Sequence, residues 1–182
     1  MLKAAFLDRD GTINVEVNYL HKIEDLVFIP KSIEAIRKLN ENGFKVIIVT
    51  NQAGVARGYY SEKDVEKLHE HIQEILKENG AFVDAFYFSP FHPTAGIGKY
   101  LAESPCRKPG TLMFEQAIEK FGISVQDSFL VGDSKSDIEA GNKMGLTTFL
   151  VETGYGKKHL PNCNPDFIEK DLWSAVNKIM EF

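Results

Sequence analysis

The sequence predicts an α/β fold, a three-layer Rossmann-like arrangement in which helices cover both faces of a mainly parallel sheet. Short apolar runs alternate with longer segments of helical spacing along the chain, as is typical of strands joined by helical crossovers. The run at residues 46–49 is apolar at every position, and such a strand is usually buried on both faces of a parallel sheet. No second unit separates from this alternation, so residues 1–182 are expected to form one domain.

Each element is predicted from its own pattern. Apolar runs predict strands at residues 4–7, 46–49, 85–88, 129–131 and 148–151, and helical spacing predicts helices at residues 33–39, 61–79, 113–121, 138–144 and 172–180. Ser61 followed by Asp64 matches a capping box at the start of the second helix. Residues 90–109 contain four prolines and little periodicity, which favours a long ordered loop of a kind that often carries function.

The composition is that of an ordinary globular protein, with 43% hydrophobic and 26% charged residues and a net charge of -5. No block of lysine or arginine is present, so the charge gives no support to a nucleic-acid partner. The two cysteines, Cys106 and Cys163, are not a CxxC pair, which favours a reducing compartment over a disulfide framework. Because no apolar run approaches the ~20 residues that span a bilayer, we expect a cytoplasmic protein without a membrane partner.

Two carboxylates follow the first predicted strand directly. Asp8 and Asp10 flank Arg9 in the run Asp-Arg-Asp-Gly-Thr, and ligands of open α/β sheets bind beyond the carboxyl ends of the strands. Both carboxylates could therefore meet one phosphate and one cation. A calcium loop would need Gly at its sixth position and Glu at its twelfth, where this sequence has Ile13 and Tyr19. A turn rich in Asp and Gly, without chemistry, is the other alternative.

Further polar groups follow the later strands. Thr50 and Asn51 begin a glycine-containing turn that runs to Gly58 and offers neutral donors to phosphate oxygens. Asp133 comes shortly after the fourth predicted strand, where a hard cation could take another oxygen ligand. Asp137, four residues further on, also suits the N-cap of the following helix.

Two cations, Arg107 and Lys108, stand side by side at the end of the long loop. In isolation they could be a solvated surface pair. In the chain, however, carboxylates, neutral donors, this cation pair and a further carboxylate appear in order at successive crossovers.

This order resembles the four motifs of the haloacid dehalogenase-like phosphohydrolases. Residues 8–12 are similar to the first motif, Thr50 to the second, Lys108 to the third, and Asp133 with Asp137 to the fourth. The resemblance implies a Mg²⁺-dependent phosphatase in which Asp137 supports the site from behind the reacting groups.

The resemblance assigns roles to the motif residues. It implies that Asp8 attacks phosphorus to form an aspartyl-phosphate and that Asp10 exchanges the proton with the leaving group and with water. Thr50 and Lys108 would act on the transferring phosphoryl group. Mg²⁺ would be held by Asp8, the backbone carbonyl of Asp10, and Asp133.

A narrower likeness covers residues 4–156. Residues 8–14, 50–58 and 106–109 are similar to the D-glycero-D-manno-heptose 1,7-bisphosphate phosphatases and the related histidinol-phosphate phosphatases. The likeness implies a fold without a separate cap domain and a phosphorylated small-molecule substrate, first a heptose bisphosphate and, as the alternative, histidinol phosphate. A non-catalytic binding protein that keeps this fold is a third hypothesis, of a different class. It leaves the oligomeric state open, and a monomer is compatible with it. The implied substrate-binding residues are Glu16, Val17, Asn18, Tyr19, Asn51, Gln52, Ala53, Arg107 and Ser134.

One departure from these relatives concerns the long loop, which many of them hold with zinc through Cys-x-His followed by Cys-x-Cys. Three of those four ligands are absent here, because the matching positions are Ser89, Phe91, Ser104 and Cys106. We therefore expect Mg²⁺ as the cofactor and no bound zinc. The loop is expected to be held instead by the packing of Phe88, Phe91, Tyr100 and Leu101.

Overall fold

A computed structural model describes all residues of the chain, 1–182. Its strands form one six-stranded parallel sheet in the order β3-β2-β1-β4-β5-β6. The strands are β1 (Ala4–Leu7), β2 (Lys45–Asn51), β3 (Ala85–Ser89), β4 (Phe129–Gly132), β5 (Thr147–Val151) and β6 (Phe167–Glu169). The α-helices are α1 (Ser32–Glu41), α2 (Ala53–Ala56), α3 (Glu62–Glu78), α4 (Leu112–Phe121), α5 (Lys135–Met144), α6 (Gly156–His159) and α7 (Leu172–Ile179).

The centre of the sheet explains why its strands are apolar at every position. β1 lies between β2 and β4, so that Leu7 stands opposite Ile48 on one side and Val131 on the other. Successive side chains of a strand point to opposite faces, and all four residues of β1 are buried. Both faces of the sheet are therefore covered, as the sequence predicts for parallel strands.

The helices divide into two layers. α1, α3 and α7 pack with alternate residues of β1 and β2 in the larger hydrophobic cluster. α4 and α5 pack on the other face, with Ala4 and Phe6 of β1 and with Leu130 of β4. The predicted three-layer α/β fold with a parallel sheet is confirmed, and no helix of the chain has both the length and the apolar character needed to cross a bilayer.

The capping residues correct one helix boundary. α5 begins three residues before the predicted start at residue 138, because Ser134 is its N-cap and accepts a hydrogen bond from the backbone N–H of Asp137. The Asp137 carboxylate in turn accepts from the N–H of Ser134. Asp137 is thus the partner in a capping box and not the N-cap itself. The capping box predicted for Ser61 and Asp64 at α3 is confirmed.

Three short elements were not predicted: β6, α2 and α6. β6 has three residues and Ile168 at its centre is 51% exposed, so its sequence carries no strand pattern and its existence depends on pairing with β5. α2 forms one helical turn within the segment 50–58, for which the sequence predicted a glycine-containing turn. Elements of this length depend on tertiary contacts more than on local propensity.

The loop at residues 90–109 is ordered, as expected, but one of its four expected anchors is wrong. Phe88 and Tyr100 pack against the small cluster of Val55, Tyr60 and Val65, and the rings of Phe91 and Tyr100 lie 6.1 Å apart. The side chain of Leu101, by contrast, is 50% exposed. The backbone of Leu101 forms a bridge with His92, so the main chain holds this residue.

The side chain of His92 completes the loop. Its Nδ1 accepts hydrogen bonds from the backbone N–H groups of Thr94 (3.2 Å) and Ala95 (3.0 Å). The hydroxyl oxygens of Ser89 and Ser104 accept hydrogen bonds from the backbone N–H groups of Phe91 and Cys106. The loop is therefore closed by hydrogen bonds of its own residues.

Candidate active site

The carboxyl ends of β1, β2 and β4 meet where the strand order reverses around β1, the usual position of a binding crevice in open α/β sheets. Two adjoining cavities open there. The inner cavity, of about 130 Å³, is lined by Asp8, Asp10, Glu16, Thr50, Asn51, Lys108, Asp133, Ser134, Ser136 and Tyr155. The outer cavity, of about 210 Å³, is lined by Asp10, Glu16, Asn18, Tyr19, Asn51, Gln52, Ala53, Tyr60 and Tyr155.

Twelve of the fifteen predicted site residues line one of these cavities. Asp137 lies directly behind the inner one, in contact with Lys108. Val17 lines neither cavity and its side chain is 42% exposed, so the structure does not bring it to the site. A larger cavity of about 580 Å³, lined by residues that include Lys3 and Phe44, lies by the start of β1 and contains none of the predicted residues.

Lys108 is the buried cation of the inner cavity. Its Nζ lies 2.8 Å from Asp8 Oδ1 and 2.5 Å from Asp137 Oδ1, and it donates to the backbone carbonyl of Val49 at 2.6 Å. Burial by itself lowers the pKa of Lys108, but the carboxylates of Asp137 and Asp8 outweigh burial and raise it. Lys108 therefore stays charged and fixes one oxygen of Asp8.

Asp8 and Asp133 form a buried acidic pair whose negative charge the neighbouring cations do not fully neutralise. With Asp137 they bring three carboxylate oxygens within 4.8 Å of one another. Burial, followed by repulsion from Asp137, raises the pKa of Asp8 to about 7. Burial, followed by repulsion from Asp8, raises the pKa of Asp133 to about 8. A bound cation would relieve this repulsion, because it stabilises both ionised forms.

The donor set fits a hard divalent cation. Asp137 is already engaged by Lys108 and by the backbone N–H and hydroxyl of Ser134, and this leaves oxygens of Asp8 and Asp133 for an ion. The backbone carbonyl of Asp10 accepts no hydrogen bond from any backbone N–H of the chain. Two carboxylates and a carbonyl, completed by water and substrate phosphate, are typical ligands of Mg²⁺.

Gly11, in the loop after β1, and Gly154, in the loop after β5, allow these two loops to approach Asp133 closely. A Cβ on Gly11 would stand 2.2 Å from Asp133 Oδ2, and a Cβ on Gly154 would stand 2.0 Å from the same oxygen. Both glycines also have positive φ values, 81° and 55°, which side-chain-bearing residues rarely adopt. Beside Gly154, the N–H of Tyr155 donates to Asp133 Oδ2 at 2.7 Å.

Asp10 is held by donors on three sides. Its Oδ1 accepts from Arg9 Nε (3.2 Å), Arg9 Nη2 (3.0 Å) and Asn14 Nδ2 (2.9 Å). Its Oδ2 accepts from Arg9 Nη2 (2.8 Å) and Gln52 Nε2 (3.0 Å). The amide of Gln52 also donates to Thr50 Oγ1 and accepts from the Tyr60 hydroxyl. Gln52 thus orders protein groups, and its contact with substrate remains a prediction.

Asn51 ties the end of the long loop to β2. Its Nδ2 donates to the carbonyl of Lys108, and its Oδ1 accepts from the Lys108 N–H, both at 3.0 Å. This reciprocal pair places Lys108 opposite Asp8 although the two residues are 100 positions apart.

The segment around Asn18 forms the outer wall. Asn18 and Tyr19 both have positive φ values, 53° and 66°, a conformation that costs energy for residues other than glycine. Local contacts hold it: Glu16 Oε1 accepts from the Asn18 N–H at 2.6 Å, and the Tyr155 hydroxyl donates to Asn18 Oδ1 at 3.0 Å. The ring of Tyr19 meets the ring of Tyr59 edge-on at 5.0 Å.

Two arginines beside this wall have no carboxylate partner. Arg57 lies 5.8 Å from the ring centre of Tyr19, and its buried Nε has no hydrogen-bond partner. Arg107 donates to the carbonyl of Phe91 at 3.2 Å and lines neither cavity. Burial, followed by repulsion from Arg57, lowers the pKa of Arg107. The two guanidiniums therefore repel each other and would be stabilised by an anion.

Sequence reasoning missed several residues at the site, namely Arg9, Ser136, Gly154 and Tyr155. Gly154 and Tyr155 follow β5, and the rule that sites lie beyond strand ends could have found them. Ser136 lies within the predicted fourth motif and shares a hydrogen bond of 2.9 Å with Ser134. No local pattern indicates the role of Arg9.

Comparisons with known proteins identify the family of the chain. A family model described as HAD-hydrolase-like matches residues 105–175. The D-glycero-alpha-D-manno-heptose-1,7-bisphosphate 7-phosphatase of Photorhabdus laumondii is 46% identical over 155 residues, which are 85% of each chain. The D-glycero-D-manno-heptose-1,7-bisphosphate 7-phosphatase of Thermosynechococcus vestitus is 40% identical over 185 residues, covering 97% of this chain and 94% of that protein.

A solved structure extends the agreement to the fold. The crystal structure of D,D-heptose 1,7-bisphosphate phosphatase from B. bronchiseptica, complexed with magnesium and phosphate, superposes with a TM-score of 0.88 over 99% of both chains at 28% identity. Sequence and fold thus agree with those of these phosphatases over nearly the whole chain. The chain belongs to the haloacid dehalogenase-like hydrolases, within the group of the heptose-1,7-bisphosphate 7-phosphatases, and is a phosphoric monoester hydrolase.

Proposed function

We propose that the chain removes the 7-phosphate of D-glycero-D-manno-heptose 1,7-bisphosphate through an aspartyl-phosphate on Asp8. The observation that carries this proposal is the environment of Asp8. Its carboxylate lies at the end of β1, is oriented by Lys108 at 2.8 Å, and lines the same small cavity as Asp10 and Asp133. The names of the relatives supply the substrate.

The proposed metal is Mg²⁺, held by Asp8, Asp133 and the backbone carbonyl of Asp10. When bound, it supplies the positive charge that lets a phosphate dianion approach a carboxylate. Lys108 adds a second positive charge on the other side of Asp8, and the hydroxyl of Thr50 with the amide of Asn51 would hold the transferring phosphoryl group.

The chemistry then divides into two displacements. An oxygen of Asp8 attacks phosphorus while the bond from phosphorus to the sugar oxygen breaks, and Asp10 gives its proton to the leaving alkoxide. In the second step Asp10 takes a proton from water, which attacks the aspartyl-phosphate and releases inorganic phosphate. Asp8 is regenerated as a carboxylate and Asp10 as an acid.

The unpaired guanidiniums support a bisphosphate over histidinol phosphate. Arg57 lies against Tyr19 in the wall of the outer cavity and close enough to Arg107 to repel it, and neither arginine forms an ion pair with a carboxylate. A guanidinium suits a phosphate well. Histidinol phosphate would bring an ammonium group to this region instead. A non-catalytic role would leave the strained wall and the buried acidic pair without a purpose, and their cost in stability argues for catalysis.

The substrate is tested by comparing kcat/KM for both anomers of the heptose bisphosphate, for histidinol phosphate and for a small monoester such as p-nitrophenyl phosphate. We expect Arg107→Ala to lower kcat/KM for the bisphosphate by roughly 1–3 kcal/mol in transition-state stabilisation and to affect the monoester less. Arg37→Ala is the control, because that residue is exposed and its only side-chain hydrogen bond is to the carbonyl of Asn79. Equal losses on both substrates, or a wild-type preference for histidinol phosphate, would contradict the heptose assignment.

The location and the oligomeric state complete the proposal. Both cysteines are unpaired, which supports a reducing cytoplasmic compartment, and we propose a monomer. Size-exclusion chromatography with light scattering tests the latter, and a dimer mass would contradict it.

A further inference from the structure

Arg9 is a fully buried cation next to the proposed acid–base residue. We propose that Arg9, itself oriented by His69, positions the Asp10 carboxylate for both of its proton transfers. The inference rests on the function proposed above and adds a residue pair that acts through Asp10 without touching substrate.

Arg9 forms an ion pair with a single carboxylate, that of Asp10. Its side chain has no exposed surface, and Asp10 is its only ion-pair partner. Nε and Nη2 together make three hydrogen bonds of 2.8–3.2 Å to the two oxygens of Asp10. A planar guanidinium that contacts both oxygens fixes the rotation of the carboxylate as well as its position, which a point charge cannot do.

The other side of the guanidinium is anchored in the fold. Nη2 also donates to the carbonyl of Leu20 at 3.2 Å, and Nη1 lies 3.2 Å from Nε2 of His69 on α3. His69 is stacked on Phe86 at 4.6 Å between ring centres. Burial, followed by the nearby charge of Arg9, lowers the pKa of His69, so the imidazole is neutral and its Nε2 can accept from Arg9.

Removal of this anchor would leave Asp10 with two neutral donors, Asn14 and Gln52, each of which contacts a different oxygen. Neither contacts both, so the carboxylate would gain rotational freedom. General acid–base catalysis requires the proton-bearing oxygen to be within hydrogen-bond reach of the reacting atom. The loss should therefore appear in kcat and in the dependence on leaving group, with little change in KM.

The test compares two leaving groups in the Mg²⁺-loaded protein. A sugar alkoxide needs a proton from Asp10 to leave, whereas p-nitrophenolate leaves without one. We expect Arg9→Met to lower kcat for the sugar phosphate by roughly 10- to 100-fold, with KM changed less than about threefold. Release of nitrophenolate in the first turnover should fall much less, and Arg9→Lys should recover part of kcat.

Asp10→Asn is the reference variant. If it shows the leaving-group dependence and Arg9→Met reduces both substrates equally, Arg9 does not act through Asp10 and the inference is wrong, while the proposed function stands. If Asp10→Asn itself shows no such dependence, the proposed acid–base function fails.

A second pair of variants decides the matter if Arg9→Met does not fold. His69→Phe keeps an aromatic ring against Phe86 but removes the acceptor for Arg9, whereas His69→Gln keeps an acceptor. We expect kcat for the sugar phosphate to fall about 3- to 10-fold in His69→Phe and to return toward wild type in His69→Gln, with KM unchanged in both. Equal kcat values for the two variants would overturn the proposal.

Discussion

Asp133→Asn should make the metal-free protein more stable at alkaline pH while removing a proposed ligand of its metal. Asp133 is 2% exposed, and its pKa is raised to about 8, first by burial and then by Asp8. A carboxyl whose pKa rises on folding binds its proton more tightly in the folded state, so the stability it contributes is present at low pH and is lost as the pH rises through about 8. Asparagine has no such charge, and it can still accept from the Tyr155 N–H.

The size of the change in stability follows from the pKa shift of Asp133. For one group with a pKa of 3.8 unfolded and about 8 folded, the free energy of unfolding falls by about 3–4 kcal/mol between pH 5 and pH 8. For a chain of this size that corresponds to roughly 6–16 °C in Tm. Asp8, whose pKa is raised to about 7, contributes in the same direction and keeps its share in the variant.

The assay is thermal unfolding followed by circular dichroism, with a chelator present, at four pH values from about 5 to about 8. We expect wild type and Asp133→Asn to have similar Tm values at the acidic end and the variant to be the more stable at the alkaline end. Millimolar Mg²⁺ should raise the Tm of the wild type and leave the variant nearly unchanged. The control, Asp25→Asn, changes an exposed carboxyl outside the site.

Equal pH slopes for Asp133→Asn and the wild type would refute the reasoning, because the buried charge would then contribute nothing to the loss of stability. A variant less stable than the wild type at every pH would refute it as well.

Three further predictions concern the same site. Asp8→Asn should abolish nearly all turnover without loss of fold, since a neutral amide of equal size replaces the nucleophile; a substantial residual kcat would contradict the covalent mechanism. Lys108→Met should lower the free energy of unfolding by about 3–5 kcal/mol in urea titrations at neutral pH, because Asp8 and Asp137 lose their buried partner; a loss below about 1 kcal/mol would show that the pair is not needed. Chelation should abolish activity and Mg²⁺ should restore it, and elemental analysis should find no stoichiometric zinc, whereas about one zinc per chain would overturn our interpretation of the loop.

The sequence by itself was enough to predict the fold class and the strand ends at which the candidate site residues lie, while the roles of those residues remain predictions. An apolar run in the sequence indicates a strand buried on both faces, and the residues directly after such a run must lie at the carboxyl edge of the sheet. Asp8, Asp10, Thr50 and Asp133 follow from this rule, since each depends only on its own neighbours in the chain. The division into a single domain remains a prediction made on the same basis.

Tertiary structure alone decided how these groups are held. The pairing of Arg9 with His69 joins residues 60 positions apart, and the ion pair of Lys108 with Asp8 joins residues 100 positions apart. The exposure of Leu101, the contact of Tyr155 with Asp133, and the approach of Arg57 to Arg107 likewise arise between distant segments. Local patterns record which face of an element is apolar, whereas the partners of a buried charge depend on how separate elements pack, and that information is spread over the whole chain.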